Sequence, residues 1–468
     1  MNKMIEEITA VEVSTIRELI ADQRSFYKTG KTRAVNYRIK ALKRLKSTIQ
    51  SMEKEIYDAL TKDLQKPKFE TYTSEIGMIY EDINLMIKKL KVWSQPQLRS
   101  TGITNFPAKS YVHPEPYGVS LIIGAWNYPL QLTLVPLVGA VAAGNCAIIK
   151  PSELSPASSS VIAIIIAKAF DREHVTVVEG GIETSQALLD QKFDFIFFTG
   201  STKVGRIVNM EAAKTLTPIV LELGGKSPCI VDETADIDLA ARRIGWGKFF
   251  NAGQSCVAPD YVLVHASKKD ELISALKTTI TEFFGANPQQ SSDLSRIVNQ
   301  HHFNRLLGLI KNTDCAVGGN YDEEFRYIAP TIVDLEDADH PLMEDEIFGP
   351  ILPILSVNSL DDAIETVHNH PNPLALYIFS TKYKNQQKVI NSLNFGGGCI
   401  NDTVAQVANN GIPFGGIGSS GMGQYHGKAS FDIFSHQKAI LHKAAWPDVP
   451  LRYPPYKGKL PLIKQIIK

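Results

Sequence analysis

A cysteine stands in the string NAGQSCVAP, residues 251–259, in a polar frame between Gly253 and Pro259. Such a frame is a poor place for core filler, and Cys256 reads as a nucleophile. The other four cysteines do not invite that reading. Cys146, Cys229 and Cys399 border apolar runs, and Cys315 lies in a loop-like stretch without obvious activation. A free thiol has a pKa of about 8.5 and is only a few per cent ionised at neutral pH. Cys256 therefore calls for a nearby base or a helix terminus.

Three strand-like exits supply further chemistry. LELGGKSP ends an apolar run on Glu222. A carboxylate there is costly unless solvated or paired, and burial raises its pKa toward what a general base needs near neutrality. The alternative is a structural carboxylate bonded to backbone amides. IIGAWNYPLQL sets Asn127 just past another strand end, where its amide can donate to a developing oxyanion, although Asn before Tyr-Pro is also good turn chemistry. In FIFFTGSTKVG a strand through Phe198 meets Gly200, and Ser201 to Gly205 opens a helix. Free N–H groups there suit a phosphate; an ordinary strand-to-helix turn would look the same. In AIIKPSELSP, Lys150 and Glu153 are placed either to hold ribose hydroxyls or to pair at the surface.

One pattern misleads. Gly416, Gly418 and Gly421 satisfy G-x-G-x-x-G, but that fingerprint carries meaning only between a strand and a helix early in a βαβ unit. Here it follows NNGIPF near the C-terminus and reads as a tight loop.

Positioning these groups requires a large α/β scaffold. VSLIIGA, CAIIK, VTVVEG, FDFIFF and TPIVLEL are short apolar runs, the first four separated by helix-like stretches. That alternation implies a parallel sheet covered on both faces, and open α/β sheets bind ligands at the carboxyl ends of their strands. A second alternating region, 228–400, includes YVLVHA, IAPTIVDL and GPILPILSV. Residues 34–63 read as one amphipathic helix through Ile39, Leu42, Leu45, Ile49, Met52, Ile56 and Leu60. Residues 99–117 read as an extended arm. Lysine plus arginine equals aspartate plus glutamate at 49 each, so a nucleic-acid partner is not expected. An odd set of cysteines without C-x-x-C suggests neither disulfides nor a zinc site and points to a reducing, cytoplasmic setting. The N-terminus lacks the apolar core of a signal peptide, and no window suits a membrane span. The basic-apolar tail KGKLPLIKQIIK is solvated or loosely packed, or lies on a bilayer surface.

Together these strings resemble the aldehyde dehydrogenase superfamily over roughly residues 15–445. LELGGKSP and NAGQSCVAP are similar to its glutamate and cysteine signatures, and EDEIFGPILPI and PFGGIGSSGMGQYHGKASFDIFSH are family-like too. The last string, APDYVLV, RYIAPTI and the short N-terminus look most like the class 3 branch. The resemblance implies a variant doubly wound NAD(P)-binding domain (1–98 and 118–222), a second α/β catalytic domain (223–424), an oligomerisation arm (99–117 and 425–445) and a tail (446–468). It implies Cys256 as nucleophile, Glu222 as general base, and Asn127 with the Cys256 N–H as oxyanion site. Lys150 and Glu153 would hold the adenosine ribose. Gly200, Ser201, Val204 and Gly205 would face the pyrophosphate, and Glu346 would bind the nicotinamide ribose. Phe348, Trp126 and Leu223 would line the cofactor cleft. Glu153 should repel a 2′-phosphate and Lys150 attract it, so NAD is expected to be preferred, with some use of NADP. The substrate class implied is medium- to long-chain aliphatic, aromatic or terpenoid aldehydes, and the assembly a homodimer. Residues 406–412, QVANNGI, are expected in a substrate wall. Acyl transfer to coenzyme A is the first alternative, but acylating relatives usually lack the base that Glu222 supplies. An inactive binding scaffold is opposed by the retained Cys256, Glu222 and Asn127. A cysteine hydrolase would require a histidine partner in a recognisable signature, and none of the eleven histidines sits in one.

Overall fold

In a computed structural model of the chain, residues 2–311 and 313–467 are described, with side chains from Ser14 onward. The first acidic residues of the N-terminus and Lys468 of the tail thus lie outside the described side chains. Two six-stranded sheets form the body. In the first, the order is Gly421–Met422, Ile219–Glu222, Phe195–Thr199, Val119–Ile123, Cys146–Lys150, Val175–Val177. All neighbours are parallel except the short Gly421–Met422 strand. The chain starts at Val119–Ile123, winds outward through two strands, and returns to lay Phe195–Thr199 on the other side of the first. The order therefore reverses beside Val119–Ile123, and the exits carrying Asn127 and Gly200 flank that switch, where an open α/β sheet forms its ligand crevice.

The strands bury both faces because they are apolar throughout; all five residues of Val119–Ile123, Cys146–Lys150 and Phe195–Thr199 are buried. Helix Gln131–Ala143 is buried at every position, including Pro136. Its uniformly apolar surface fits an element enclosed on all sides. Phe197 packs on Tyr425 and Phe434 with ring centroids 5.0 and 5.9 Å away, which ties the C-terminal region to this core.

The second sheet is parallel throughout, in the order Thr331–Leu335, Ile351–Val357, Tyr261–His265, Pro228–Val231, Ala375–Phe379, Gly397–Ile400. A separate antiparallel sheet joins Gln97–Arg99, Ala108–Pro116 and Ser435–Lys443, so the stretch expected to be an arm is extended and pairs with the chain's later return.

Two readings of the sequence change in detail. The expected helix over 34–63 is two helices, Val35–Ser51 and Glu53–Leu64, broken where Met52 leaves helical dihedrals (φ −123°, ψ 17°). Glu53 and Glu55 in the first turn of the second helix favour a new N-terminus there. The apolar stripe continues across the break because both helices face the same core. Cys399, expected to be core, is only partly buried, and its Sγ donates to Gln406 Oε1 at 2.9 Å. The misleading glycines do form a tight loop: Gly418 bridges Gly421, and Gly421 pairs with Glu222.

Candidate active site

Glu222 is the last residue of its strand and is 3 % exposed. Neither of its carboxyl oxygens has a hydrogen-bond partner, so the alternative of a structural carboxylate held by amides does not apply. Burial drives its pKa well above the ordinary carboxylate value. The glycines after it permit close packing. A Cβ on Gly224 would lie 2.0 Å from Glu346 Oε2, and one on Gly205 would lie 2.6 Å from Leu223. Gly224 thus lets the Glu346 carboxyl rest against this turn, and Gly205 lets its helix approach the strand end.

Asn127 and Cys256 come together from the two halves of the chain. Asn251 and Ala252 adopt left-handed dihedrals and Gly253 follows at φ 73°. A Cβ on Gly253 would meet the Gly349 carbonyl oxygen at 2.2 Å, so only glycine fits this turn. The turn is cross-tied to Asn127. Asn127 Nδ2 donates to the Gln254 carbonyl at 3.1 Å, and Asn251 Nδ2 donates to the Asn127 carbonyl at 2.9 Å. Gln254 is itself fixed, donating to the Arg296 carbonyl at 3.0 Å and accepting from the Val298 N–H at 3.0 Å. The N–H of Cys256 finds no main-chain acceptor among the described residues.

Two cavities meet at Cys256. One, of about 400 Å³, is lined by Trp126, Asn127, Gly200, Ser201, Glu222, Leu223, Glu346 and Phe348. The other, of about 260 Å³, is lined largely by apolar side chains, among them Met78, Trp246, Phe250, Val404 and Val407. Leu132, Phe414 and Tyr425 border both. Of the expected wall at 406–412, Val407 and Ala408 reach the second cavity, whereas Gln406 donates to Tyr377 Oη at 3.1 Å. Val404 holds φ 62°, an outlier for a β-branched residue, at the edge of this cavity.

The first cavity suits a dinucleotide. Glu346 Oε1 is buried without a partner, an acceptor free for a ribose hydroxyl. Burial, followed by the nearby Asp260 charge, pushes this carboxyl up to about 8. Phe348 sits at φ 51°, with its ring 5.3 Å from Trp126 in an edge-to-face arrangement. Ser201 caps helix Thr202–Lys214 by accepting from the Val204 N–H. Val204 is exposed on that first turn. Lys150 pairs with Glu153 at the neighbouring strand exit. Lys226, absent from the expected site although it directly follows the glycine pair, holds this side together. Its Nζ lies 2.6 Å from Asp260 Oδ2 and donates to the carbonyls of Leu342 and Asp345, and Asp260 Oδ1 accepts the Ile347 N–H at 3.1 Å. His302 and Arg305 also line the cavity and carried no signal in their local sequence. Among the described residues no cluster suited to a metal ion is found.

Among the described residues no base is hydrogen-bonded to the Cys256 thiol; burial first, then the charges of Glu346 and Glu222, push its pKa up. In cofactor-free protein, alkylation of Cys256 by iodoacetamide should therefore keep accelerating as pH rises through the alkaline range. A rate already level at neutral pH would mean a preformed thiolate.

Comparison with known proteins agrees with this geometry. The model of the aldehyde dehydrogenase family matches residues 1–440. The 4,4'-diaponeurosporen-aldehyde dehydrogenase of Staphylococcus aureus is 50% identical over 458 residues, 97% of this chain and 100% of that protein. The dimeric NADP-preferring aldehyde dehydrogenase of Canis lupus familiaris is 44% identical over 450 residues, 96% of this chain and 99% of that one. The solved substrate-bound state of Staphylococcus aureus AldH superimposes with a TM-score of 0.95 at 50% identity, covering 97% of this chain and 99% of that one. The chain belongs to the aldehyde dehydrogenase family, in a class 3-like branch whose members oxidise aldehydes to acids with NAD(P)+.

Proposed function

We propose that Cys256 is the nucleophile, Glu222 the general base, and Asn127 Nδ2–H with the Cys256 N–H the oxyanion site, in oxidation of a long apolar aldehyde to its acid. The observation that carries this reading is the position of Cys256 at the meeting of a polar cavity and an apolar one. The Cys256 thiol gives its proton to solvent, its sulfur adds to the carbonyl carbon as the C=O π bond breaks, and the oxygen that becomes negative accepts hydrogen bonds from the two donors. Losing one such donor typically costs about a hundred- to a thousandfold in rate. Bound NAD(P)+ supplies the two-electron acceptor. Lys150 and Glu153 would hold its adenosine ribose. Gly200, Ser201, Val204 and Gly205 would hold the pyrophosphate, and Glu346 the nicotinamide ribose. Trp126, Leu223 and Phe348 would enclose the ring. The acyl group remains on Cys256 as a thioester. Glu222 then takes a proton from water, the hydroxyl attacks the thioester, and the carboxylic acid leaves as the thiol is restored. The buried carboxyl suits that exchange because its raised pKa makes it a better proton acceptor once ionised.

The substrate class rests on the apolar lining of the second cavity and on the relative named 4,4'-diaponeurosporen-aldehyde dehydrogenase. Medium- to long-chain aliphatic, aromatic and terpenoid aldehydes all fit it. Homodimer formation is supported by a relative named dimeric and by strand Ser435–Lys443, whose residues from His436 to His442 are exposed. Peripheral membrane contact is supported by the tail. Leu460, Leu462, Ile466 and Ile467 are exposed there, close to Lys457, Lys459 and Lys464. No helix among the described residues is long and apolar enough to cross a membrane.

Long-chain aldehydes with NAD+, and without coenzyme A, should give reduced cofactor and free acid. Cys256→Ala should abolish both, and Glu222→Gln should accumulate a thioester on Cys256; an adduct on another residue overturns the assignment. With both cofactors assayed in parallel, NAD+ should be used better than NADP+ because Glu153 repels the 2′-phosphate, and Glu153→Gln should narrow the ratio. An unchanged ratio removes Glu153 from that role. Truncation before Lys457 should reduce sedimentation with anionic liposomes while leaving a dimer in solution; undiminished binding rules out the tail as the contact.

A further inference from the structure

Asn127 and Cys256 lie on loops from different halves of the chain, yet both loops are held by one short segment much earlier in the sequence. Lys68–Thr71 is a turn of α-helix that runs directly into the π-helical turn Tyr72–Ile76. π-turns are rare and often accompany functional sites. This one is accommodated by Gly77, where a Cβ would lie 2.9 Å from the Tyr72 carbonyl oxygen. The segment carries two glutamates that bond outward.

Glu75 is buried, and its Oε2 accepts the Leu130 N–H at 2.8 Å, with the Gln131 N–H at 3.4 Å. These are orphan donors at the start of helix Gln131–Ala143, whose own N-cap residue, Leu130, has no side-chain acceptor. Glu75 thus fixes the far end of the turn that begins at Asn127. Glu70 Oε2 accepts the Asn251 N–H at 3.0 Å, and the Ser295 hydroxyl lies 3.4 Å from the same oxygen. Asn251 opens the left-handed turn that presents Cys256. Because Asn127 and that turn are bonded to one another, the contacts close a ring from Glu70 through Asn251, Asn127 and Leu130 to Glu75.

Lys66 completes the arrangement. Its Nζ lies 2.6 Å from Glu75 Oε1 and 4.0 Å from the centroid of the Tyr128 ring, next to Asn127. Both side chains of this pair are 0% exposed. A well-packed apolar pair would fill the same space at no loss of stability, but it would present no acceptor to the Leu130 loop.

We propose that Glu70 and Glu75 are positioning residues for the reaction, each anchoring one of the two loops that supply the oxyanion donors and so fixing the distance between those donors. The inference rests on the roles proposed above for Cys256 and Asn127.

The test is single-turnover cofactor reduction with octanal and NAD+ in Glu70→Ala, Glu70→Gln and the apolar double variant Lys66→Met with Glu75→Leu, which presents no acceptor to the Leu130 loop. In Glu70→Ala the rate constant should fall about tenfold or more, as a misplaced donor forfeits part of its effect. The amplitude, the melting temperature and the KM for NAD+ should stay near those of the parent enzyme. Glu70→Gln, which keeps an acceptor oxygen, should restore most of the rate. The double variant should show the same fall in rate constant with its NAD+ affinity retained. If Glu70→Ala does not fold, Glu70→Asp, which withdraws the acceptor, takes its place with the same expectation. Parent-like rate constants in these variants, or a loss confined to amplitude and melting temperature, would overturn the proposal and leave a purely structural role. A parent enzyme that reduces cofactor without forming an adduct on Cys256 would instead sink the assignment of the nucleophile, so the two failures are distinguishable.

Discussion

Two hydrogen bonds join the halves of this molecule where its chemistry is set. Asn127 Nδ2 donates to the Gln254 carbonyl and Asn251 Nδ2 donates to the Asn127 carbonyl. One strand end of the first sheet and one strained turn of the second region therefore cannot move independently. Each net hydrogen bond is worth only about 1 kcal/mol in stability. Their importance is directional, since together they fix the Asn127 side chain relative to the turn that precedes Cys256. Gly253 makes the junction achievable: the left-handed turn presses against the Gly349 carbonyl with no room for a side chain. Gly349 directly follows Phe348, whose ring lies 5.3 Å from Trp126, so the turn before the thiol abuts the segment that lines the polar cavity.

Around this junction the protein buries charge-bearing groups of two kinds. Lys226 with Asp260 and Lys66 with Glu75 are paired and satisfied by further hydrogen bonds. Removing one member of such a pair typically costs about 3–5 kcal/mol, because the other is left charged in a poorly polar interior. Glu222 and Glu346 are of the second kind. Each keeps at least one oxygen without a partner, and burial raises the pKa of both. The paired groups hold loops in place, while the unpaired ones face the cavity in which a ligand can satisfy them.

Much of this was legible in the amino-acid order. Five strands of the first sheet and three of the second, Tyr261–His265, Thr331–Leu335 and Ile351–Val357, stand out as short apolar runs, whereas the glycine-bearing Gly397–Ile400 and Gly421–Met422 do not. Glu222, Cys256 and Asn127 stand out because each is a polar residue in a place that local structure alone would leave apolar or plain. The break at Met52 is masked by an apolar stripe that runs on across it, and only Glu53 and Glu55 mark the start of a new helix. The bracing role of Glu70 and Glu75 could not be read, since their partners at Asn251 and Leu130 are remote along the chain and nothing in KFETYTSEI points to them. The enclosure that pushes the Cys256 thiol up comes from elements distant in the chain, and the neighbours in NAGQSCVAP do not reveal it.

The meeting of two cavities at a single sulfur gives the molecule separate doors. A hydrocarbon tail seated against Trp246 and Val407 does not occupy the space beside Glu346 and Phe348. On the roles proposed above, a nucleotide beside Glu346 could leave and be replaced while an acyl group stayed on Cys256. Under the same roles, the length of a hydrocarbon would be limited by the walls of its own cavity, which Met78, Trp246 and Phe250 line, and not by the space beside Glu346 and Phe348.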